Sequence, residues 1–375
     1  MQALILAGGE GTRLRPLTLT MPKPAIQLVD RPFLRYMIDW LGSHGIDEVV
    51  VASGFGADEL RSALGDGGGR GPTIDYITEE EPLGTGGPLR LAADHGALGE
   101  RFLVLNGDVL TDLDLGELIR AHEGCGAAAT LALYPVDDPT AYGLVRRTGG
   151  PEGPGGPAAV PTGEVLEFLE KPEPGAIDTD EISAGAYVLE RQVIDLIPAG
   201  RNVSIEREVF PRLVGRGLYG HGLTGYWMDI GTPERYLQAS WDILEGRVKT
   251  RAGARLDEAG LLIESNDVDA GATVEAPGLV EANVAVARGA SIGPRAVVAR
   301  DGRVEESAAV ESSVVLSGAR IGAGATVTGS ILAPGVQIGE GATVGPGAVL
   351  GEGSQVEPGA RLDAGARISP GERAA

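Results

Sequence analysis

Two periodicities divide the chain. Up to about residue 245, short β-branched runs alternate with segments whose apolar residues recur at helical spacing. "ALILA", "EVVVAS", "TIDYIT" and "FLVLNGD" read as strands, and "FLRYMIDWLGSHG" reads as a helix with Phe33, Met37, Ile38 and Leu41 on one face. Strands alternating with helices predict a mostly parallel sheet covered on both sides, a Rossmann-like α/β fold. From about residue 126 the strands follow more closely, "AAATLALYPV", "YGLVRR", "VLEFLEKP" and "AGAYVLE", so the sheet is expected to become mixed. Between two of these strands, "TGGPEGPGGPAAVPTG" reads as a flexible loop. "TPERYLQASWDILEG" reads as a closing helix with Thr232 as its N-cap.

The last third changes period. Aliphatic residues stand at Val268, Val274, Val280, Val286, Ile292, Val298, Val304, Val310 and Leu316, then at Ile321, Val327, Leu332, Ile338, Val344, Leu350, Val356, Leu362 and Ile368. All steps but two are six residues, with Gly, Ala and Ser between, as in "IGEGATVGPGAVLGEGSQVEPGA". That period fits neither an α-helix nor a plain strand. It fits short strands joined by tight turns around a three-sided prism, each aliphatic side chain pointing inward. Eighteen such positions amount to about six coils. A register held this long argues against disordered low complexity. The segment resembles the left-handed hexapeptide β-helix family, which supplies the expected handedness. The reading gives a first domain at 1–245, a linker at 246–265 and a left-handed parallel β-helix at 266–375.

Composition narrows the function. A chain of 375 residues with 43% apolar content exceeds one ordinary domain and can build real cores. With 31 basic against 53 acidic residues, the net charge of -22 argues against nucleic acid or an anionic membrane as the main partner. The single cysteine, Cys125, suits a reducing cytoplasm. "MQALILAGGEG" has no basic n-region and too short an apolar run for a signal peptide or membrane span, so a cytoplasmic location is expected.

The first strand leads into "LAGGEGTRLRPLT", where Gly8, Gly9 and Gly11 let backbone N–H groups turn toward an anion and Arg13 and Arg15 follow. It is neither a Walker A loop nor the dinucleotide fingerprint, and a plain tight turn is the competing reading. In "MPKPA", Lys23 lies between two stiffening prolines, as a fixed phosphate clamp or a solvated charge. Asp108 ends the strand "FLVLNGD" and Asp229 stands in "GYWMDIGTP". Each is either a turn former or, with substrate phosphates, part of the sparse oxygen shell magnesium prefers. The histidines (44, 95, 122, 221) are too scattered for a zinc site.

Taken in order, "LAGGEGTRLRPLT", "PKP", "EEEPLGTGGPL", "NGD", "FLEKP", "SIEREVFP" and "GYWMDIGTP" resemble the sugar-1-phosphate nucleotidyltransferases, most closely the mannose-1-phosphate guanylyltransferases, over nearly the whole chain. The resemblance implies GMP transfer from GTP to a sugar 1-phosphate, with Mg2+ held by Asp108 and Asp229. It places Leu6, Gly8, Gly9, Gly11, Thr12, Arg13, Lys23, Glu79, Glu80, Gly84 and Gly107 at the nucleotide. Arg13 and Lys23 would meet the triphosphate and departing pyrophosphate. Lys171 would bind the sugar phosphate, with Glu170 and Gly143 on the sugar hydroxyls and Ser183 nearby, where many relatives carry Asn. The acidic stretch "EEEPLGTGG" then finds a use. Guanine offers two adjacent donors that match a carboxylate, whereas uracil and thymine offer one and suit an amide. Thymidylyl and uridylyl relatives typically read the base with a glutamine five residues before the loop glycine; counting back from Gly84 gives Glu79, with Glu80 as its rival. The alternatives are a glucose-1-phosphate thymidylyl- or uridylyltransferase, a guanylyltransferase for another sugar or cyclitol phosphate, and an inert nucleotide-sugar sensor. An acyltransferase is disfavoured because the repeat segment contains no histidine. Self-association through flat prism faces is expected.

Overall fold

The computed structural model describes residues 1–375 except residues 70, 174 and 176. Two compact units emerge: Met1–Gly9 with Met37–Trp227, and Glu10–Tyr36 with Met228–Ala375.

The first unit is built on a nine-stranded sheet. Its strands are β1 (Gln2–Leu6), β2 (Glu48–Ser53), β3 (Thr73–Thr78), β4 (Arg101–Asn106), β5 (Ala129–Pro135), β6 (Gly143–Arg147), β7 (Thr162–Glu170), β8 (Glu181–Glu190) and β9 (Leu218–Gly222). The order is β3-β2-β1-β4-β8-β5-β9-β7-β6. The first four run parallel. β1, β2 and β4 are near-continuous buried runs, with Ala3, Leu4 and Ile5 fully buried, as strands covered on both faces require, whereas the edge strand β3 alternates buried and exposed positions. Beyond β4 the pairing turns mixed: β8 is antiparallel to β4 and β5, and β9 is parallel to β5. This is the change expected from residue 126 onward. Helices α1 (Phe33–Ser43), α2 (Ala57–Leu64), α3 (Gly87–Asp94) and α4 (Leu115–Cys125) supply the connections. Strand order reverses at β1, which has β2 on one side and β4 on the other, and ligands of open α/β sheets collect at the carboxyl ends of strands at such a point.

The run expected to be a flexible loop is pinned instead. Val160 N–H donates to Gly149 O at 3.2 Å, Gly155 N–H to Asp180 Oδ2 at 2.7 Å, and the Arg147 guanidinium to Val160 O at 2.7 Å. Arg147 also forms a buried two-point pair with Glu181, at 2.7 and 2.9 Å. A sequence rich in Gly and Pro gave no sign of these anchors, because their partners lie on β6 and beside β8.

The second unit is dominated by three parallel sheets of seven, seven and six short strands, each strand pairing with the third one after it. This is a parallel β-helix. The coil starts ahead of the aliphatic register, at Leu261–Ile263, and runs to Arg373–Ala374. The inward row is closed off from water, with Val280, Ile292, Val298, Ile321, Leu332 and Leu350 all 0% exposed. A second row is buried too. Leu279, Val297, Val314, Ile331 and Val349 stack in register on one face, one position before the inward row, whose member between Val298 and Leu332 is Val315 and not the expected Leu316. Helix α5 (Pro233–Leu244) is tied to this face at both ends: Glu234 faces Arg367 at 3.9 Å, and Glu245, its C-cap, pairs with Arg295. Paired aliphatics such as "VV", "IL" and "VL" therefore mark the covered face, while Arg303, Arg320 and Thr326 on the other faces are exposed. Thr232 caps α5 as expected, its side chain accepting the Arg235 amide. Among the described residues no helix is long and apolar enough to cross a membrane.

Candidate active site

At the switch point the backbone comes close to an acid. A Cβ added to Gly8 would lie 2.8 Å from Glu79 Oε1, so a larger residue there would push this carboxylate aside. Glu79 extends β3 and is buried at 9% exposure, whereas Glu80 and Glu81 are exposed. Its Oε2 accepts the Leu83 amide at 3.0 Å. Burial pushes the Glu79 carboxyl above its ordinary range, and the Leu83 hydrogen bond opposes this. Gly84 sits at φ +73°, and a Cβ on it would meet Val203 O at 2.5 Å. Gly107 packs on the end of β1: its amide donates to Leu6 O at 2.9 Å, and a Cβ there would come within 2.7 Å of that oxygen. The flanking Asn106 holds a buried Oδ1 without a hydrogen-bond partner among the described residues, and Asp108 is half-buried. A buried acceptor left unmatched at the carboxyl end of a strand invites a donor from outside the protein.

A second group forms where β6 and β7 pair. A Cβ on Gly143 would meet Phe168 at 2.5 Å and Glu170 Oε2 at 3.1 Å. Lys171 follows at φ 53°, a left-handed backbone that costs a lysine of order 1 kcal/mol, and its amide is held by Tyr142 O at 2.9 Å. Its side chain is exposed. Glu170 is raised by burial and then by the charge of Glu206, against the opposing pull of Lys171. On β8, Ser183 Oγ donates to the Tyr187 hydroxyl at 3.4 Å. Between them the register with β5 shifts, and Gly185, at φ 72°, lies so close to Asn106 that a Cβ would be 2.9 Å from its Nδ2. Tyr187 is fully buried and its phenol is pushed far above the usual range by desolvation.

The second unit holds the remaining residues. Gly11 takes the left-handed conformation that starts the short helix Thr12–Leu14, and a Cβ on it would meet Thr18 at 3.0 Å and Lys23 at 3.1 Å. Thr18 Oγ1 closes this loop by donating to Gly11 O at 2.9 Å. Lys23 is buried at 8% exposure between its prolines, not solvated. Gly231 lies where Arg13 and Asp229 converge: a Cβ there would be 2.6 Å from an Arg13 guanidinium nitrogen and 3.2 Å from Asp229 Oδ2. Asp229, 8% exposed, also forms an ion pair with Arg235.

The structure thus gathers Leu6, Gly8, Glu79, Gly84 and Gly107 at one end of the sheet. Gly143, Glu170 and Lys171 meet at a second place in the same unit, and Gly11, Arg13, Lys23 and Asp229 gather in the other. Glu80 points to solvent, apart from the first group. Sequence reasoning missed Arg235, Tyr187, Thr85 and Glu206. The last lies in "SIEREVFP", a motif that was recognisable without any role attached to its residues.

Residues 2–246 match the Nucleotidyl transferase family, and residues 274–371 match the GMPPB C-terminal domain. Mannose-1-phosphate guanylyltransferase of Mycobacterium tuberculosis (strain ATCC 25618 / H37Rv) is 39% identical over 325 residues, covering 83% of each chain. Mannose-1-phosphate guanylyltransferase 1 of Arabidopsis thaliana is 35% identical over 323 residues, covering 84% of this chain and 85% of its own. Among solved structures, HddC from Yersinia pseudotuberculosis aligns with 28% identity and a TM-score of 0.52, covering 64% of this chain and 97% of its own. The same protein complexed with GMP-PN aligns with a TM-score of 0.51. With two thirds of its length in the family match and relatives this similar over most of the chain, the protein belongs to the nucleotidyl transferase family.

Proposed function

We propose that this nucleotidyltransferase moves GMP from GTP to a sugar 1-phosphate, mannose 1-phosphate above others, releasing pyrophosphate. The observation that carries the choice of nucleotide is the buried Glu79 carboxylate facing Gly8. A carboxylate removed from water without a cationic partner is unfavourable unless something presents hydrogen-bond donors to it, and guanine presents two side by side. Uracil or thymine would set acceptors against it. The relatives named as guanylyltransferases and the HddC complex with GMP-PN support the same choice.

The chemistry needs no general base, because the sugar phosphate oxygen that attacks the α-phosphorus is already anionic at neutral pH. The barrier is repulsion between two polyanions, so cations and alignment do most of the catalysis. Arg13, anchored beside Gly231, and Lys23, held rigid by Pro22 and Pro24, take the triphosphate and the leaving pyrophosphate. The other nucleotide contacts are the backbone at Leu6, Gly8, Gly9, Gly11, Thr12, Gly84 and Gly107. Lys171 binds the sugar phosphate, and its unusual backbone directs it there. Glu170, Gly143 and Ser183 face the sugar; the raised carboxyl of Glu170 suits hydrogen bonding to hydroxyls.

The family works with a divalent metal. Among the described residues no three His, Cys, Asp or Glu side chains converge on one point, so few protein ligands are offered. Two oxygen donors completed by substrate phosphates fit magnesium, and Asp108 and Asp229 would hold it. When bound, it supplies charge neutralisation at the phosphates. Arg235, paired with Asp229, orients that carboxylate. The enzyme acts in the cytoplasm as a homo-oligomer. Asp108→Asn is expected to cut turnover in a pyrophosphate-release assay by at least about a hundredfold, the scale of losing a central electrostatic group, with an unchanged melting temperature. Near-normal turnover overturns the metal assignment.

A further inference from the structure

Thr85 stands in "PLGTGG", just after Gly84, and reaches a segment far along the chain. Its Oγ1 donates to Glu206 Oε2 at 2.5 Å and accepts the Ile205 amide at 3.0 Å. Ser204 Oγ donates to the same carboxylate oxygen at 2.7 Å. The backbone repeats the connection: Gly86 N–H donates to Val203 O at 2.7 Å, Val203 N–H to Leu83 O at 3.0 Å, and the Asn202 side-chain amide to Pro82 O at 2.8 Å. Gly84 lets the two segments of this junction approach so closely, since at φ +73° a Cβ there would meet Val203 O at 2.5 Å. The loop that carries Glu79 at one end and Gly84 at the other is therefore fastened to Asn202–Glu206.

The fastened segment packs directly on the strands that carry the sugar residues: Phe210, which follows Ile205–Val209, lies with its ring centroid 5.4 Å from Phe168 on β7 and 5.1 Å from Tyr187 on β8. The charge of Glu206 is felt at both Glu170 and Tyr187. One carboxylate is thus held by the loop beside the base and acts on the residue assigned to the sugar. Charge-assisted hydrogen bonds are short and directional, so a shift of the loop moves Glu206 with it.

We propose that Thr85 is a positioning residue that couples the seating of the nucleotide to the seating of the sugar phosphate through Glu206. This rests on the assignment of Glu79 to the base and of Glu170 and Lys171 to the sugar phosphate. Thr85 touches neither substrate. It fixes the distance between the two groups that do.

The test compares Thr85→Val, which keeps the shape and deletes the hydroxyl, with Thr85→Ser, which restores it. Initial rates are measured on the full chain with GTP and mannose 1-phosphate varied together, and amide exchange is followed at Ile205. Thr85→Val is expected to speed exchange at Ile205 and to raise KM for both substrates about fivefold or more, the lower end of ordinary coupling energies. Thr85→Ser is expected to return both to within about twofold of the parent. A Thr85→Val protein that melts earlier yet keeps both KM values, or loses affinity for one substrate alone, overturns the proposal. Failure of the underlying assignment looks different. Glu79→Gln would leave nucleotide preference unchanged and Lys171→Ala would leave the sugar-phosphate KM unchanged, whatever exchange at Ile205 does, and the coupling claim falls with it.

Discussion

Replacing Glu79 by glutamine alters the proposed base contact at a single atom. The parent side chain offers two carboxylate oxygens. Oε2 is engaged by the Leu83 amide at 3.0 Å, and Oε1 lies against the space above Gly8. Glutamine can keep the Leu83 bond through its one carbonyl oxygen, but it then turns an NH2 toward guanine, donor against donor. A hydrogen bond to a charged acceptor contributes about 1.5–3 kcal/mol. This carboxylate is already buried in the unliganded protein, so binding does not incur its desolvation again. Loss of about 1.5–3 kcal/mol corresponds to a ten- to hundredfold fall in kcat/KM for GTP. UTP and dTTP, which present one donor between acceptors, should gain or stay level. The assay is pyrophosphate release with each of the three triphosphates at saturating mannose 1-phosphate. Glu80→Gln serves as the control, because Glu80 is exposed, and its preference should match the parent. An unchanged GTP preference in Glu79→Gln refutes the base-reading role.

The same residue has a signature in stability. A carboxyl whose folded pKa lies above its unfolded value makes the folded protein bind the extra proton, so this site destabilises the fold at neutral pH and the penalty fades as pH falls through the raised value. Glu79→Gln should therefore be at least as stable as the parent in urea unfolding at neutral pH, with the difference shrinking as acidification protonates the carboxyl; a difference that widens on acidification contradicts the assignment. Glu181→Gln breaks a pair in which the Arg147 side chain has no exposure and leaves a buried guanidinium half-matched, so it should lower stability by about 3–5 kcal/mol. A loss under about 1 kcal/mol in denaturant unfolding would mean that the pair behaves like a surface contact.

The fold was legible where local chemistry and long-range packing ask for the same residues. The parallel half of the sheet showed as β-branched runs because both of its faces are buried. The coil showed as a six-residue register because every turn repeats one geometry. What did not show depended on partners remote in sequence. Glu79, Glu80 and Glu81 are chemically alike; the resemblance, counted back from Gly84, points to Glu79, but that Gly8 closes over it and buries it, unlike its exposed neighbours, shows only in three dimensions. The covered face of the prism is written in its paired aliphatics, yet it becomes readable only once α5 is known to be tied across it. Arg235 looks like any first-turn helix residue until Asp229 is found against it. The loop after β6 read as flexible from composition because its anchors, Arg147 and Asp180, belong to other stretches. Thr85 and Glu206 sat in recognisable motifs, but a hydrogen bond between residues so far apart leaves no local pattern.

Product identity distinguishes transfer of GMP to mannose 1-phosphate from every alternative pairing. The purified chain with magnesium is incubated with GTP, UTP, dTTP or ATP, each against mannose 1-phosphate and glucose 1-phosphate, and the nucleotide sugars formed are identified by mass. GTP with mannose 1-phosphate should give GDP-mannose and one pyrophosphate per product, at a kcat/KM at least about tenfold above any other pair, the discrimination expected from the Glu79 contact. A preference for dTTP or UTP with glucose 1-phosphate, or no nucleotide sugar from any pair, would contradict the account.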